Sequence, residues 1–451
     1  MSRSPARPAI GPPAERPNAA RASRAYDGAF GFAAISLMLF VPQLKSLTPI
    51  LLLALLAFHC VWRREGLPLM LRNSAAYLLL PLFALSSTLW SIDTDATGYY
   101  GFQFLITALI GCIIGAGLDR KSAMRGVFYA FALYAFASLI FGRSVAWGGG
   151  AMGNSAFAGL AQAKNTAGDC AAVGVILSVA VLFDAIESRR HRLALFATVA
   201  LALQLQMLIA ARSSGAILAA AIALALFVMW SFSRLFPKPA RVVTAISAII
   251  AIVSAVLTQH IWLPALVASM SRATGKDSTL TGRTYLWDRA AALIQERPLL
   301  GVGYNGFWRK GNLDAEGLWR YAGITSRSGF NFHSTPTELL VHLGYFGLLL
   351  FAGVFAVLAV LLLIRTMIRP NAIMIGWCTL LTYEVVRMPF ESIGTGPFHY
   401  TTSMIAAAAV VSIGWLSAGH RRETEPARAV RFRGERDRPL HVSKAISVRA
   451  P

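Results

Sequence analysis

The sequence predicts an all-α fold, a polytopic inner-membrane helical bundle of about twelve transmembrane helices with one long periplasmic loop, and three observations carry that reading. First, 56% of the 451 residues are hydrophobic and only 14% are charged. Second, apolar runs of about 18 residues or more recur along the chain, the length a helix needs to cross a bilayer. The alternation expected of a membrane barrel is not visible, and helices are the other way to satisfy every backbone group in lipid. Third, the basic residues fall in alternate loops.

In chain order, residues 1–26 are rich in Pro, Ala and Arg, lack apolar periodicity and read as a disordered cytoplasmic tail. The next apolar run lacks a small-residue cleavage site, so it does not read as a signal peptide. The spans fall at 27–42, 47–62, 73–90, 98–117, 124–141, 165–185, 193–210, 214–232, 241–260, 336–364, 371–388 and 398–417. Transmembrane helices thus fill 27–260 and 336–417, around a periplasmic catalytic loop over 261–335, and 418–451 form a disordered basic cytoplasmic tail. The exits of even-numbered spans carry Arg63 and Arg64, Arg120 and Lys121, Arg189 and Arg190, Arg234 and Lys238, and Arg365 and Arg369, whereas the short odd loops hold almost no Lys or Arg. By the positive-inside rule both termini face the cytoplasm. The formal net charge of +21 is therefore a matter of topology and not a nucleic-acid-binding face. The long loop after the ninth span breaks the pattern with Arg272, Lys276, Arg283, Arg289, Arg297, Arg309, Lys310, Arg320 and Arg327. Long loops escape the rule, so a basic surface is expected outside the membrane, suited to an anionic substrate such as a diphosphate. Within it, Leu286, Ala290, Leu293 and Ile294 make one stripe of a helix that Pro298 ends, an amphipathic helix expected to lie on the outer membrane surface.

The four cysteines, Cys60, Cys112, Cys170 and Cys378, lie in apolar runs without metal-ligand spacing and read as small buried hydrophobes. Gly301 to Gly306 fits G-x-G-x-x-G, but a helix and a proline precede it where a nucleotide site needs a strand. Its glycines are expected to make a tight turn that returns Phe307 and Trp308 to the membrane surface. Gly111 and Gly115 are a small-xxx-small pair for close helix packing. Arg212, between two spans, either snorkels to the interface or clamps a phosphate. Arg283, one turn before Trp287, reads as a solvated arginine or as an anion ligand. His333, at the start of the tenth span, reads as structural or as a general base. Glu338 and His342 share a helix face; no H-E-x-x-H signature supports a metal there, and Glu338 is expected to orient a ring or an arginine. Lys164 and Asn165 open the sixth span, with Asn165 a candidate helix cap and Asp169 a candidate partner for Lys164.

The order Gly282-Arg283, Trp287, Pro298, Gly301-Val302-Gly303, Phe307, His333 and Gly344-Tyr345-Phe346-Gly347, with Lys164-Asn165-x-x-Gly168 upstream, resembles the signature of the O-antigen ligase and polysaccharide polymerase superfamily. Ala210 and Ala211 stand before Arg212 where the family often has Ser or Thr. The resemblance implies a metal-independent inverting glycosyltransferase that takes a glycan from undecaprenyl diphosphate at the periplasmic face. Arg212 and Arg283 would bind the diphosphate and His333 would act as base, with Lys164, Asn165, Glu338 and Trp287 in support. No cofactor is implied, because the donor already carries the energy. The implied partners are the lipid-linked donor, a glycan or lipid A–core acceptor, the bilayer, and polysaccharide export and chain-length proteins. Polymerase and ligase stay open, with a lean towards exopolysaccharide polymerase from the pattern around Lys164 and Gly282. The rival class, a transporter or flippase, predicts mid-span charges and internal symmetry. The sequence shows Asp169, Asp184, Glu384 and Arg387 near span ends, and no symmetry.

Overall fold

A computed structural model describes residues 17–146, 155–258, 261, 265, 269, 283–327 and 329–413. The far N-terminal tail, the C-terminal tail and the Thr281-Gly282 pair, with Arg272 and Lys276, lie outside the described residues. Each span expected from the sequence holds a helix among the described residues: α1 (Pro17–Leu39), α2 (Leu47–Trp62), α3 (Leu67–Ser86), α4 (Thr94–Cys112), α5 (Arg120–Phe141), α6 (Lys164–Glu187), α7 (His191–Ala210), α8 (Ser214–Ser233) and α9 (Lys238–Leu257). Two helices of the long loop follow, α10 (Arg283–Glu296) and α11 (Leu313–Tyr321), then α12 (Thr335–Ile368), α13 (Ala372–Arg387) and α14 (Tyr400–Val410). Among the described residues seven helical stretches are long and apolar enough to cross a membrane. The fold is that of a polytopic, all-α membrane protein.

The N-terminal expectation needs a correction. Disorder was expected to residue 26, but α1 begins at Pro17. Pro is favourable in a first helical turn and the Ala-rich stretch has high helix propensity. Arg63 then fastens this end of α1 through Asp27 at 2.8 Å and Ser23 Oγ at 2.7 Å. A two-stranded antiparallel hairpin, β1 (Arg143–Ala146) with β2 (Ser155–Gly159), joins α5 to α6 and was not anticipated.

The loop parity read from charge is reproduced in three dimensions. The α2–α3, α4–α5, α6–α7 and α8–α9 turns gather at one end, tied by Arg63–Asp27, Asp119 N to Asp27 at 3.0 Å, Lys121 and Arg125 on Asp184 at 2.9 and 2.5 Å, and Arg234 on Glu187. The long loop occupies the opposite end. Gly111 and Gly115 do pack helices: a Cβ on either would come within 2.4 Å of Ser403 O or 2.3 Å of Ala407 O on α14. Cys112, Cys170 and Cys378 are buried, and Cys60 is half-buried.

The long loop folds around a small core of its own, built from Leu286, Ala290, Leu293, Phe307, Trp319 and Phe332. This corrects two expectations. The apolar stripe of α10 faces that core and not lipid, and Phe307 is 1% exposed inside it instead of returning to the membrane surface. Burying large rings against each other in water gains more than laying them at an interface that lipid already makes apolar. The Gly-x-Gly turn has a different job. At Gly344, α12 breaks, with φ 64°. The segment 298–303 docks on the break: Val302 N donates to Val341 O and Gly303 N to His342 O, while Tyr345 N and Phe346 N donate to Pro298 O and Leu299 O. A Cβ on Gly344 would lie 2.3 Å from the Leu299 backbone, and one on Gly301 2.5 Å from His342 C. Glycine is required at both positions by the closeness of two backbones and by positive φ.

Candidate functional site

The site lies where the ends of α6, α8, α10, α12 and α13 meet, and its hub is a residue the sequence did not single out. Pro389 follows the last turn of α13, and the chain then carries Glu391 back over the bundle. Glu391 Oε1 accepts from Arg283 Nη2 at 2.9 Å and from Asn165 Nδ2 at 3.2 Å, with Arg387 Nη2 at 3.6 Å. Its Oε2 faces His333 Nδ1 at 3.2 Å. The loop bearing it is stapled down by Thr335, whose N donates to Met388 O at 2.8 Å and whose Oγ1 bonds the carbonyls of Glu391 and Ile393 at 3.0 Å each. Burial alone would push the Glu391 carboxyl up, but the His333 hydrogen bond and the Arg283 and Arg387 guanidiniums reverse this and hold it at about 2. Glu391 is therefore an acceptor-only carboxylate, so Nδ1 of His333 must donate to it. In the neutral form of the ring this leaves Nε2 as the proton acceptor.

His333 is held unusually firmly. Its φ of 51° lies in the left-handed region that β-carbons disfavour. Its backbone N donates to Asn331 Oδ1 at 2.8 Å, and Trp287 Nε1 pins the preceding carbonyl, Phe332 O, at 2.9 Å. Glu338, fully inside, takes Trp308 Nε1 at 2.9 Å and Phe332 N at 2.8 Å. Glu338 thus orients a ring, as expected, though an indole and a peptide N–H take the place of an arginine. Its neighbour His342 is buried 3.5 Å away.

Of the residues expected from the sequence, the structure brings Asn165, Arg283, Trp287, His333 and Glu338 into one network. Asn165 does not cap α6; Ala163 stands at the cap, and the Asn165 side chain spans Glu391 and Ser213 Oγ, the latter at 3.3 Å. Lys164 begins α6 beside it. Arg212 is exposed, with φ 48°, one residue before Ser213; its backbone N donates to Ile209 O at 3.1 Å, and its side chain makes no hydrogen bond or ion pair among the described residues. It borders the network without joining it. Arg283 donates to Phe390 O at 2.5 Å as well as to Glu391, which leaves part of its donor fork uncommitted among the described residues. Beneath Glu391, Asp169 receives Tyr383 OH at 2.6 Å and Tyr400 OH at 2.7 Å, with Arg387 Nε at 3.4 Å. The one sequence signal for Glu391 was its i, i+4 spacing from Arg387 in a stretch with no other acidic residue between Glu384 and Glu423.

Fold and site together define a multi-pass membrane protein that holds arginines, a carboxylate and an imidazole in one polar cluster at one end of its bundle. The family model Wzy_C, O-Antigen ligase, matches residues 199–352, a range that includes Arg212, Arg283 and His333. The exopolysaccharide production protein ExoQ of Rhizobium meliloti (strain 1021) is 30% identical over 332 residues, 71% of this chain and 73% of that protein. The chain belongs to the O-antigen ligase and polysaccharide polymerase superfamily, as a glycan-processing membrane enzyme that works on a lipid-linked glycan donor and a glycan acceptor.

Proposed function

We propose that this protein is a metal-independent inverting glycosyltransferase of the inner membrane. It moves a glycan from undecaprenyl diphosphate to a sugar hydroxyl at the periplasmic face, with both termini in the cytoplasm. The observation that supports this reading is the Glu391–His333 pair beside Arg283. An imidazole with Nε2 set to accept a proton stands next to a guanidinium with donors to spare. In this reading the acceptor hydroxyl gives its proton to His333 as it attacks the anomeric carbon. Glu391 keeps the ring in the accepting tautomer and balances the imidazolium that forms. The bond to the diphosphate breaks on the opposite face, which inverts the centre, and Arg283 and Arg212 take up the charge on the departing diphosphate. Guanidinium suits this because it meets phosphate oxygens two at a time. Lys164 adds positive potential at the same rim. The likeness to an exopolysaccharide production protein favours polymerisation, in which the acceptor is a second lipid-linked repeat unit, over ligation to lipid A–core. Export and chain-length proteins are its expected partners.

The test uses the lipid-linked repeat unit extracted from a strain lacking this gene, mixed with purified protein in detergent with EDTA present. Polymer of inverted linkage is expected. Loss of product on adding EDTA would overturn the metal-free mechanism, and product from a nucleotide sugar alone would overturn the lipid-linked donor.

A further inference from the structure

One side of His333 is unaccounted for by the diphosphate and base roles. A row of rings runs outward from the small core of the long loop. Trp319, 1% exposed, lies 6.0 Å from Trp308; Trp308 lies 5.3 Å from Phe330, at 82°; and Phe330 lies 5.7 Å from the His333 ring, at 79°. Trp319 is buried, and Trp308 and Phe330 are half-buried. Among the described residues Phe330 is the one aromatic ring packed against His333. The other groups that meet the histidine or its carboxylate, Glu391, Arg283, Asn165 and Asn331, are polar or charged.

A sugar needs both kinds of surface. Its hydroxyls seek polar partners, while the C–H face of a pyranose is apolar and gains dispersion and burial against a ring. A base that removes a proton from one particular hydroxyl needs that hydroxyl held in place, and charged groups alone hold it loosely. A ring set at right angles beside the imidazole offers a flat apolar wall from which a stacked sugar can present its edge to Nε2. Trp308 backs that wall, and Trp308 is itself fixed by Glu338 at 2.9 Å, so the wall is rigid.

We propose that Phe330 is the platform for the acceptor sugar, stacking on its apolar face and setting which hydroxyl reaches His333. This rests on the transfer reading given above and names the acceptor subsite within it. In polymerisation the lipid-linked repeat serves as donor and acceptor alike. The test therefore supplies the methyl glycoside of the sugar at the acceptor end of the repeat as a separate, soluble acceptor. Phe330→Leu keeps the packing on Trp308 but loses the ring; Phe330→Tyr and Phe330→Trp keep it. The Leu variant is expected to raise the acceptor KM about tenfold, the equivalent of about 1.4 kcal/mol, with the donor KM unchanged, while Tyr and Trp stay near wild type. Equilibrium binding of the methyl glycoside in a His333→Ala background should show the same ranking without any turnover. A Leu variant with wild-type acceptor KM overturns the platform. So does a Leu variant whose donor and acceptor KM rise together, since that marks a disturbed fold. A wild type that transfers nothing, yet binds the glycoside with this ranking, overturns the transfer reading and leaves the subsite standing.

Discussion

At the end of the bundle away from the long loop, Asp184 on α6 takes Lys121 and Arg125 at 2.9 and 2.5 Å, and Asp27 on α1 takes Arg63 and the Asp119 backbone. At the other end Glu391 takes Arg283, Asn165, Arg387 and His333. Both ends bury a carboxylate among cations, but the carriers differ. Asp184 and Asp27 sit on helices and fasten neighbouring helices to each other, so every partner is a structural brace. Glu391 sits on a loop and reaches groups from four separate elements, one of them the imidazole of His333. The first arrangement spends its charges on itself. The second holds cations in place while leaving donors and a ring nitrogen for something else.

Breaking the second arrangement at its base should have the largest effect. His333→Ala and His333→Gln are expected to lower transfer by about 10²-fold to 10⁴-fold, the range a positioned general base contributes. Binding of the lipid-linked donor should persist, since the arginines are intact. Turnover retained in the Gln variant would show that His333 only positions the hydroxyl. Next comes Arg283→Lys, which keeps charge and loses the fork. A drop of about tenfold to a hundredfold in kcat/KM is expected from the loss of a charge-assisted hydrogen bond, and an unchanged product yield would demote Arg283 to a surface charge.

Glu391→Gln keeps the shape and an acceptor oxygen, so the loss in turnover should be milder, about threefold to tenfold. This variant also has a pH signature. The Glu391 carboxyl is held at about 2, below its ordinary 4.5. Folding therefore favours its ionised form; that stabilisation is present above about 4.5 and is lost as pH falls from there towards about 2. Thermal melts in detergent at pH 5 and pH 3 should show a steeper acid loss for wild type than for Glu391→Gln, and parallel losses would mean that the carboxylate is not held by its cations. The smallest effect on turnover belongs to the far end. Asp184→Asn should lower the melting temperature, by about 1–3 kcal/mol of stability for a buried carboxylate partner, with KM and kcat near wild type. A kinetic defect there would erase the distinction between the two ends.

The helices and the parity of their loops were legible because a bilayer imposes a length and a charge rule on sequence. Arg283, Trp287 and His333 were legible as residue types in a recognisable order. Glu391 was not, because its partners come from positions 165, 283, 333 and 387, and nothing local predicts that those four meet. The turn at Gly301 to Gly306 was legible as a turn, but its backing on a broken helix depends on backbone groups that every residue carries. The direction of the α10 stripe was misread because periodicity tells which residues share a face and not whether lipid or protein lies opposite. The hairpin strands at 143–146 and 155–159 escaped notice since they are short and Ala-rich.

Gly344 sets how much of α12 can sit in a membrane. An unbroken helix of 34 residues would be about 51 Å long, well beyond a hydrocarbon layer of about 30 Å. The break leaves residues 345–368 as a rod of about 36 Å, which fits a bilayer with modest tilt. The piece before it, Thr335 to Leu343, is bonded to the 298–303 segment and travels with the long loop. Glu338 and His342 therefore lie on the long-loop side of the break. The thickness of the surrounding bilayer acts on the lower rod, and the glycine joint keeps a mismatch there from tilting the short helix that begins two residues after His333.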